Sequence, residues 1–162
     1  MKKVIIVLSA FAMFTACSKT RINSNRFSGE VWKVVSISVD GEAEEQDHFP
    51  TFEFEDCDNF EEVCMGHWVI GAEDAHFAWQ FNDNGETLTF SNQSEMDHEH
   101  DHDHEHDEDD DDHHHVNPIE QCQDFSGTYL VESSKRRSMK LSSTETIGYP
   151  GIEVVIELEH ID

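Results

Sequence analysis

The sequence predicts an all-β fold, a small antiparallel up-and-down barrel. Apolar and polar residues alternate in short segments, turn residues separate those segments, and no longer window carries an apolar stripe of helical period. The chain of 162 residues is long enough for one domain. Its formal net charge of −26, from 36 acidic against 10 basic residues, excludes a nucleic-acid binder and favours cations as partners.

Eight segments show the alternation of a strand with one buried face. They cover residues 31–39, 51–55, 65–70, 76–81, 87–90, 128–132, 138–142 and 152–160. In the last segment Val154 and Ile156 share one face and Glu157 lies on the other. The register of the first segment is ambiguous, because Trp32 falls on the opposite face from Ile37, and a β-bulge is one solution. Eight short strands joined by tight turns are typical of an up-and-down barrel, with a sandwich as the alternative.

Four aromatic residues in these strands have two possible roles. They are Trp32, Phe77, Trp79 and Phe81. An eight-stranded barrel is either filled by its own side chains or holds one small ligand, so these residues either plug the core or line a pocket for an apolar ligand. The core role is favoured, because a barrel of this size needs most of its aromatic side chains for packing.

The N-terminus has the pattern of an export signal. Two lysines precede an apolar run over residues 4–14, which is too short to span a bilayer and leads into Thr15-Ala16-Cys17. This ending resembles the lipobox of bacterial lipoproteins, whose cysteine receives acyl chains such as palmitate. The resemblance implies a signal peptide over 1–16, a lipidated Cys17 and a membrane-anchored lipoprotein of the bacterial envelope, at the outer membrane or periplasmic face; ordinary secretion without a role for Cys17 is the less favoured alternative. The polar composition of the residues that follow predicts a tether, so that 17–28 comprises the lipidated cysteine and the tether.

The barrel region, residues 29–162, resembles a second family at its start. Gly29 is followed by Trp32, a β run and Asp40-Gly41. This pattern resembles the opening of bacterial lipocalin-like lipoproteins, in which a tryptophan plugs one end of the barrel. The resemblance implies a lipocalin-like fold, and it makes a small apolar ligand a possible partner.

One segment interrupts the strand pattern. Residues 95–118 are predicted to be a disordered loop inserted between two strands, because they offer too little apolar surface for packing. Within it, residues 97–115 contain 8 of the 12 histidines of the chain together with 11 acidic residues. Acidic residues alone would keep the chain soluble, so the histidines indicate a more specific function.

Imidazole and carboxylate groups are ligands that suit zinc, so this segment is predicted to bind divalent metal at more than one site. The expected ligands are His98, His100, His102, His104, His106, His113, His114 and His115, assisted by Asp97, Glu99, Asp101, Asp103, Glu105 and Asp107. In composition the segment resembles the histidine-rich loops of periplasmic zinc-uptake proteins and zinc transporters.

The same residues predict pH dependence and leave an alternative open. Protons compete with metal for imidazole, so binding should weaken below about pH 6.5, the ordinary histidine pKa. In the alternative, the barrel binds the apolar ligand and the segment only solubilises it or responds to pH. The sequence offers no recognisable nucleophile with a base, carboxylate pair or phosphate loop, so a non-enzymatic function is predicted.

The remaining three cysteines fit an oxidising compartment. Cys57 and Cys64 flank a short connection between two strands and are predicted to form a disulfide. Cys122 then stays buried, pairs with another molecule or replaces one of the two partners. A zinc site built from the three cysteines and His67 is a less favoured alternative. Four further histidines are interpreted as isolated surface or core residues: His48, His67, His76 and His160.

Overall fold

A computed structural model of the chain describes residues 20–45, 48–57, 63–94 and 117–161. The strands are β1 (Val31–Val39), β2 (Glu42–Ala43), β3 (Thr51–Phe54), β4 (Cys64–Ile70), β5 (Glu73–Asn82), β6 (Thr87–Asn92), β7 (Gly127–Ser134), β8 (Ser138–Glu145) and β9 (Pro150–His160). Two α-helices occur among the described residues. The first, α1, is helical over residues 20–27, and the second, α2, is Pro118–Phe125.

The strands form one antiparallel sheet that closes on itself. From β3 to β9 each strand pairs with the next one along the chain, and β1 pairs with both β3 and β9. The two-residue β2 only extends the end of β1, so eight strands make the barrel wall. The predicted all-β, up-and-down barrel is therefore confirmed, and each of the eight predicted strand segments is a strand.

The ambiguous register of β1 is resolved by a bulge, the solution that the sequence offers. The pairing of β1 with β9 shifts register between Val34 and Ser36. Because of this shift Trp32, Val34 and Ile37 all reach the core, although simple alternation would place Ile37 on the outer face.

Aromatic rings and aliphatic side chains together fill the described interior of the barrel. Phe52 contacts several of the rings, with the ring centroid of Trp68 at 4.6 Å and that of Phe90 at 5.7 Å. Gly66 makes room for this packing, because a Cβ at that position would lie 2.6 Å from the ring of Phe77. The four aromatic residues that were predicted to be plugs or pocket walls all lie in this core, each at most 3% exposed: Trp32, Phe77, Trp79 and Phe81.

Residues 20–27 correct the expectation of a tether over residues 17–28. They form α1, whose last residue, Phe27, is fully buried and stacks on Trp32 with ring centroids 4.7 Å apart. The indole N–H of Trp32 donates to the carbonyl of Arg26, and the amide of Asn23 donates to the carbonyl of Gly85. The polar composition of this segment is typical of a linker. Only one of its apolar side chains, Phe27, is buried, yet the segment covers one end of the barrel.

Helix α2 was not predicted, and its first residue corrects the expected loop boundary at residue 118. The side chain of Asn117 caps the helix by accepting a hydrogen bond from the Ile119 amide, and Pro118 occupies the first turn. Phe125 then stacks on Trp68 with centroids 6.0 Å apart. Helix α2 thus covers the opposite end of the barrel from α1.

The two ends differ in the connections they carry. At the α1 end lie the β5–β6 turn, the β7–β8 turn and the disulfide connection between β3 and β4. At the α2 end lie the β4–β5 turn, the β8–β9 turn and the departure of the chain after β6. None of the helices in the described part of the chain is long and apolar enough to cross a membrane.

The cysteines follow the favoured pairing. A disulfide joins Cys57 to Cys64, with a Cα–Cα distance of 5.8 Å. Cys122 is a free thiol, fully buried in α2, and burial raises its pKa to about 12. The alternative zinc site with His67 is excluded, because two of its sulfur ligands are in the disulfide and the third is inside the core.

Candidate functional site

The β4–β5 hairpin brings two histidines together on the outer face of the barrel. Its turn consists of Gly71 and Ala72, and Gly71 has a φ of +64° that favours glycine. This tight turn fixes a register in which His67 stands directly opposite His76. Their ring centroids are 4.5 Å apart. Asp74, two residues before His76, lies on the same face because side chains alternate along a strand.

His67 is held between two carboxylates. Its Nδ1 lies 2.7 Å from Oδ2 of Asp74, and its Nε2 lies 3.1 Å from Oε1 of Glu55, the residue that follows β3. The His67 side chain is 28% exposed, whereas the two acidic side chains are about half exposed. The ring is therefore fixed on both sides at a surface that solvent can reach.

These contacts favour the protonated form of His67. The hydrogen bond to Asp74 is the largest cause that raises its pKa above 6.5, and partial burial opposes it. The hydrogen bond to Glu55 and the charges of both carboxylates raise the pKa further. Both ring nitrogens can donate only when the ring carries two protons, so this geometry suits an imidazolium.

The same residues offer a set of metal ligands. One ligand atom from each of His67, Asp74 and His76 lies within 4.8 Å of the others. Two imidazole nitrogens and one carboxylate oxygen suit zinc and related divalent ions. Both histidines had been interpreted as isolated, and this interpretation is wrong. The signal was present in the sequence, because a two-residue turn at Gly71 and Ala72 pairs residue 67 with residue 76.

The point at which the chain leaves the barrel, just before the histidine-rich segment, lies beside this cluster. The amide of His76 donates to Oγ of Ser94 at 2.7 Å, and the carbonyl of His76 accepts from the amide of Gln93 at 2.8 Å. The description stops after Ser94 and resumes at Asn117, the cap of α2. The predicted ligands between residues 97 and 115 lie outside the described residues, and so does Cys17.

The two other histidines predicted to be isolated lie apart from this cluster. His48 is exposed in the connection before β3. The Nε2 of His160 lies 2.8 Å from Oε2 of Glu30 at the α1 end, and its ring packs edge-on against Trp32 with centroids 5.5 Å apart. Neither belongs to a described cluster of three metal-type ligands.

Comparison of the chain with protein-family models, with curated proteins and with solved structures finds no match. The structure defines the protein as a closed, eight-stranded antiparallel barrel whose outer face carries a cluster of two histidines with carboxylates.

Proposed function

We propose that this protein is a non-enzymatic binder of divalent metal, zinc in the first instance, anchored at the bacterial envelope through a lipid on Cys17. The histidines between residues 98 and 115 and their neighbouring acids bind the metal, and the protein buffers zinc or hands it on. One observation carries the proposal. The segment that holds eight histidines leaves the barrel at Ser94, in hydrogen-bond contact with His76 of an ordered histidine and aspartate cluster.

The chemistry of the segment supports metal binding. Its histidines alternate with acids from residue 97 to residue 107. The carboxylates raise the local concentration of cations, and the neutral imidazoles supply the nitrogen ligands that zinc prefers. Because the sequence predicts disorder in this segment, the cost of ordering it should oppose binding, whereas the many alternative ligand sets favour it. We therefore expect moderate affinity and more than one ion per chain.

The arrangement of the barrel suggests which of its ends would face the membrane. Residue 20, only three residues after Cys17, belongs to the helix that covers the α1 end. The histidine-rich segment joins the barrel at the other end. A lipid on Cys17 would therefore hold the α1 end near the membrane and present the metal-binding segment away from it.

The competing function, binding of a small apolar ligand inside the barrel, receives no support from the packing. The described interior is occupied by edge-to-face and stacked rings, as between Phe54 and Phe77 and between Phe90 and Tyr129. Each end is covered by a helix that is packed onto a core tryptophan. A ligand would have to displace core side chains, which are packed as densely as an organic crystal.

A pair of matched variants tests the proposal. In the first, Gln replaces the eight histidines between 98 and 115; in the second, Asn replaces the eight aspartates between 97 and 112. We expect the histidine variant to lose most bound zinc in equilibrium dialysis at pH 7.5. The aspartate variant should retain the stoichiometry with weaker affinity, because its imidazoles remain. Unchanged zinc stoichiometry in the histidine variant would refute the assignment.

A further inference from the structure

We propose that His67, Asp74 and His76 form a separate, ordered site for one zinc ion on the outer face of the β4–β5 hairpin, with Glu55 as a positioning residue. The site goes beyond the function proposed above, because none of its ligands comes from residues 97–115. It takes a divalent cation of the zinc type, since its ligands are two imidazoles and one carboxylate.

The geometry is close to what an ion requires. Zinc binds nitrogen and oxygen at about 2.0 to 2.2 Å, so tetrahedral ligands lie about 3.3 Å from one another. The Nδ1 of His67 and Oδ2 of Asp74 are 2.7 Å apart, and all three ligand atoms lie within 4.8 Å of one another. Side-chain rotations that move each atom by about an ångström bring the three to this spacing. Solvent reaches the cluster, so water can take the fourth position.

The backbone of the site is already ordered. His67 and His76 belong to a ladder that pairs the whole of β4 with β5, from Cys64 opposite Trp79 to Ile70 opposite Glu73. Binding an ion here orders only a few side-chain torsions, whereas residues 97–115 are all His, Asp or Glu, a composition that predicts a further entropic cost of ordering the backbone. The hairpin site is therefore expected to bind one ion more tightly than the segment binds each of its ions.

Glu55 has the position of an outer-shell partner. A histidine that binds a metal through one nitrogen usually donates its other N–H to a carboxylate, which fixes the ring and its tautomer. Nε2 of His67 lies 3.1 Å from Oε1 of Glu55, which leaves Nδ1, the nitrogen that faces Asp74, for the ion. Glu55 does not touch the ion in this arrangement and acts only through His67.

Glu53 provides a matched control for Glu55. It stands directly opposite His67 in the β3–β4 register and is exposed, so it carries the same charge close to the same ring. The two nitrogens of His67 are engaged by Asp74 and Glu55. Removing Glu53 therefore changes the local charge without removing a hydrogen bond from the ring.

The first test is zinc calorimetry at pH 7.5 on the full chain in detergent, with Gln at the eight histidines of residues 98–115. We expect one zinc ion per chain in this background, with affinity reduced at least a hundredfold by His76→Gln or by Asp74→Asn. Both residues are exposed, so an unchanged melting temperature can show that the fold is retained. His160→Gln, at the α1 end, should leave the ion bound.

The second test compares Glu55→Ala with Glu53→Ala in the same background. Outer-shell partners typically contribute tenfold to a hundredfold in metal affinity, so Glu55→Ala should weaken zinc about tenfold and change the visible absorption of Co²⁺ bound at the site. Glu53→Ala should change the affinity less than about twofold, as expected for one exposed charge. Equal effects of the two substitutions would overturn the positioning role of Glu55.

The outcomes separate this site from the function proposed above. If the background variant binds no zinc while the natural chain binds several ions, the hairpin site is wrong and the histidine-rich segment stands. If the natural chain binds one ion, which His76→Gln removes, the hairpin site stands and the function of the segment is wrong. In the background variant, zinc binding that neither His67→Gln nor His76→Gln changes would also overturn the hairpin site.

Discussion

At each end of the barrel a helix lays a phenylalanine against a tryptophan. Phe27 of α1 stacks on Trp32 with centroids 4.7 Å apart, and Phe125 of α2 stacks on Trp68 with centroids 6.0 Å apart. The helices also satisfy the indole N–H groups, since Trp32 donates to the carbonyl of Arg26 and Trp68 donates to the side chain of Gln121. Both ends are therefore covered in the same way, and among the described residues neither end leaves an open entrance for a ligand.

What differs is the outer surface near each end. Near the α2 end are His67, Asp74 and His76, and beside them the chain departs towards the histidine-rich segment. The α1 end carries the β7–β8 turn with Lys135, Arg136 and Arg137. Helix α1 itself begins three positions after Cys17. In the proposed function the outer surface and the inserted segment bind the metal, whereas the packed interior provides stability.

Removing the two stacked phenylalanines tests whether the two ends are equivalent. Phe27→Ala and Phe125→Ala should each cost about 3 to 5 kcal/mol of unfolding free energy, because each leaves a cavity beside a buried tryptophan. Urea unfolding followed by tryptophan fluorescence measures this cost, with the exposed Asn25→Ala as control. If Phe27→Ala left the unfolding free energy unchanged, α1 would be a tether and only the α2 end would be closed.

The disulfide gives the α1 end a stabilisation that the α2 end does not share within the described residues. It closes a short loop between Cys57 and Cys64, seven positions apart, and such a loop contributes about 2.5 kcal/mol in the chain-entropy model. The double variant Cys57→Ala, Cys64→Ala should lose about this much in denaturant unfolding. Reducing the disulfide of the natural chain should lower its stability by the same amount, whereas the reductant should not change the stability of the double variant. A loss of stability in both proteins would contradict the assignment.

The tryptophan partners distinguish the two ends more finely. Gln121→Ala should cost about 1 to 3 kcal/mol, because it leaves the fully buried indole N–H of Trp68 without its acceptor. Glu120→Ala, at an exposed position on the same helix, is the matched control. No such substitution exists for Trp32, whose acceptor is a backbone carbonyl. Equal stability of the two α2 variants would show that water replaces Gln121.

The smallest expected effect concerns the pH dependence of stability. Because its folded pKa lies above 6.5, His67 stabilises the fold fully below about pH 6.5, and this contribution is lost as pH rises through the folded pKa. His67→Gln should therefore cost about 0.5 kcal/mol at pH 5.5, as for a surface ion pair, and less at pH 9. Thermal unfolding at both values, with His48→Gln as control, measures this. A cost that grows with pH would have the wrong sign.

The strands were predictable because their pattern is local. Alternation in each strand gives the buried face directly, and the conflict between Trp32 and Ile37 indicates where the register of β1 is irregular. The disulfide followed from the placement of Cys57 and Cys64 at facing strand ends. These features need only neighbouring residues and the compartment that the N-terminal signal implies.

The helices escaped prediction because they depend on tertiary contacts, and the histidine cluster escaped it because the exact turn between β4 and β5 was not identified. Helix α1 buries few apolar side chains, so it shows no 3.6-residue stripe, and α2 is only eight residues long. The Asn117-Pro118 pair was a readable start signal for α2 that the acidic composition before it obscured. The contact of His67 with His76 required the exact register of the β4–β5 turn.

Calorimetric titration of the natural chain with zinc at pH 7.5 and at pH 5.5 tests most directly whether metal is bound by histidines outside the barrel. We predict more than one ion per chain at the higher pH and loss of most of the binding at the lower pH, where protons occupy the imidazoles. Absence of binding at both values, checked by equilibrium dialysis, would contradict the account.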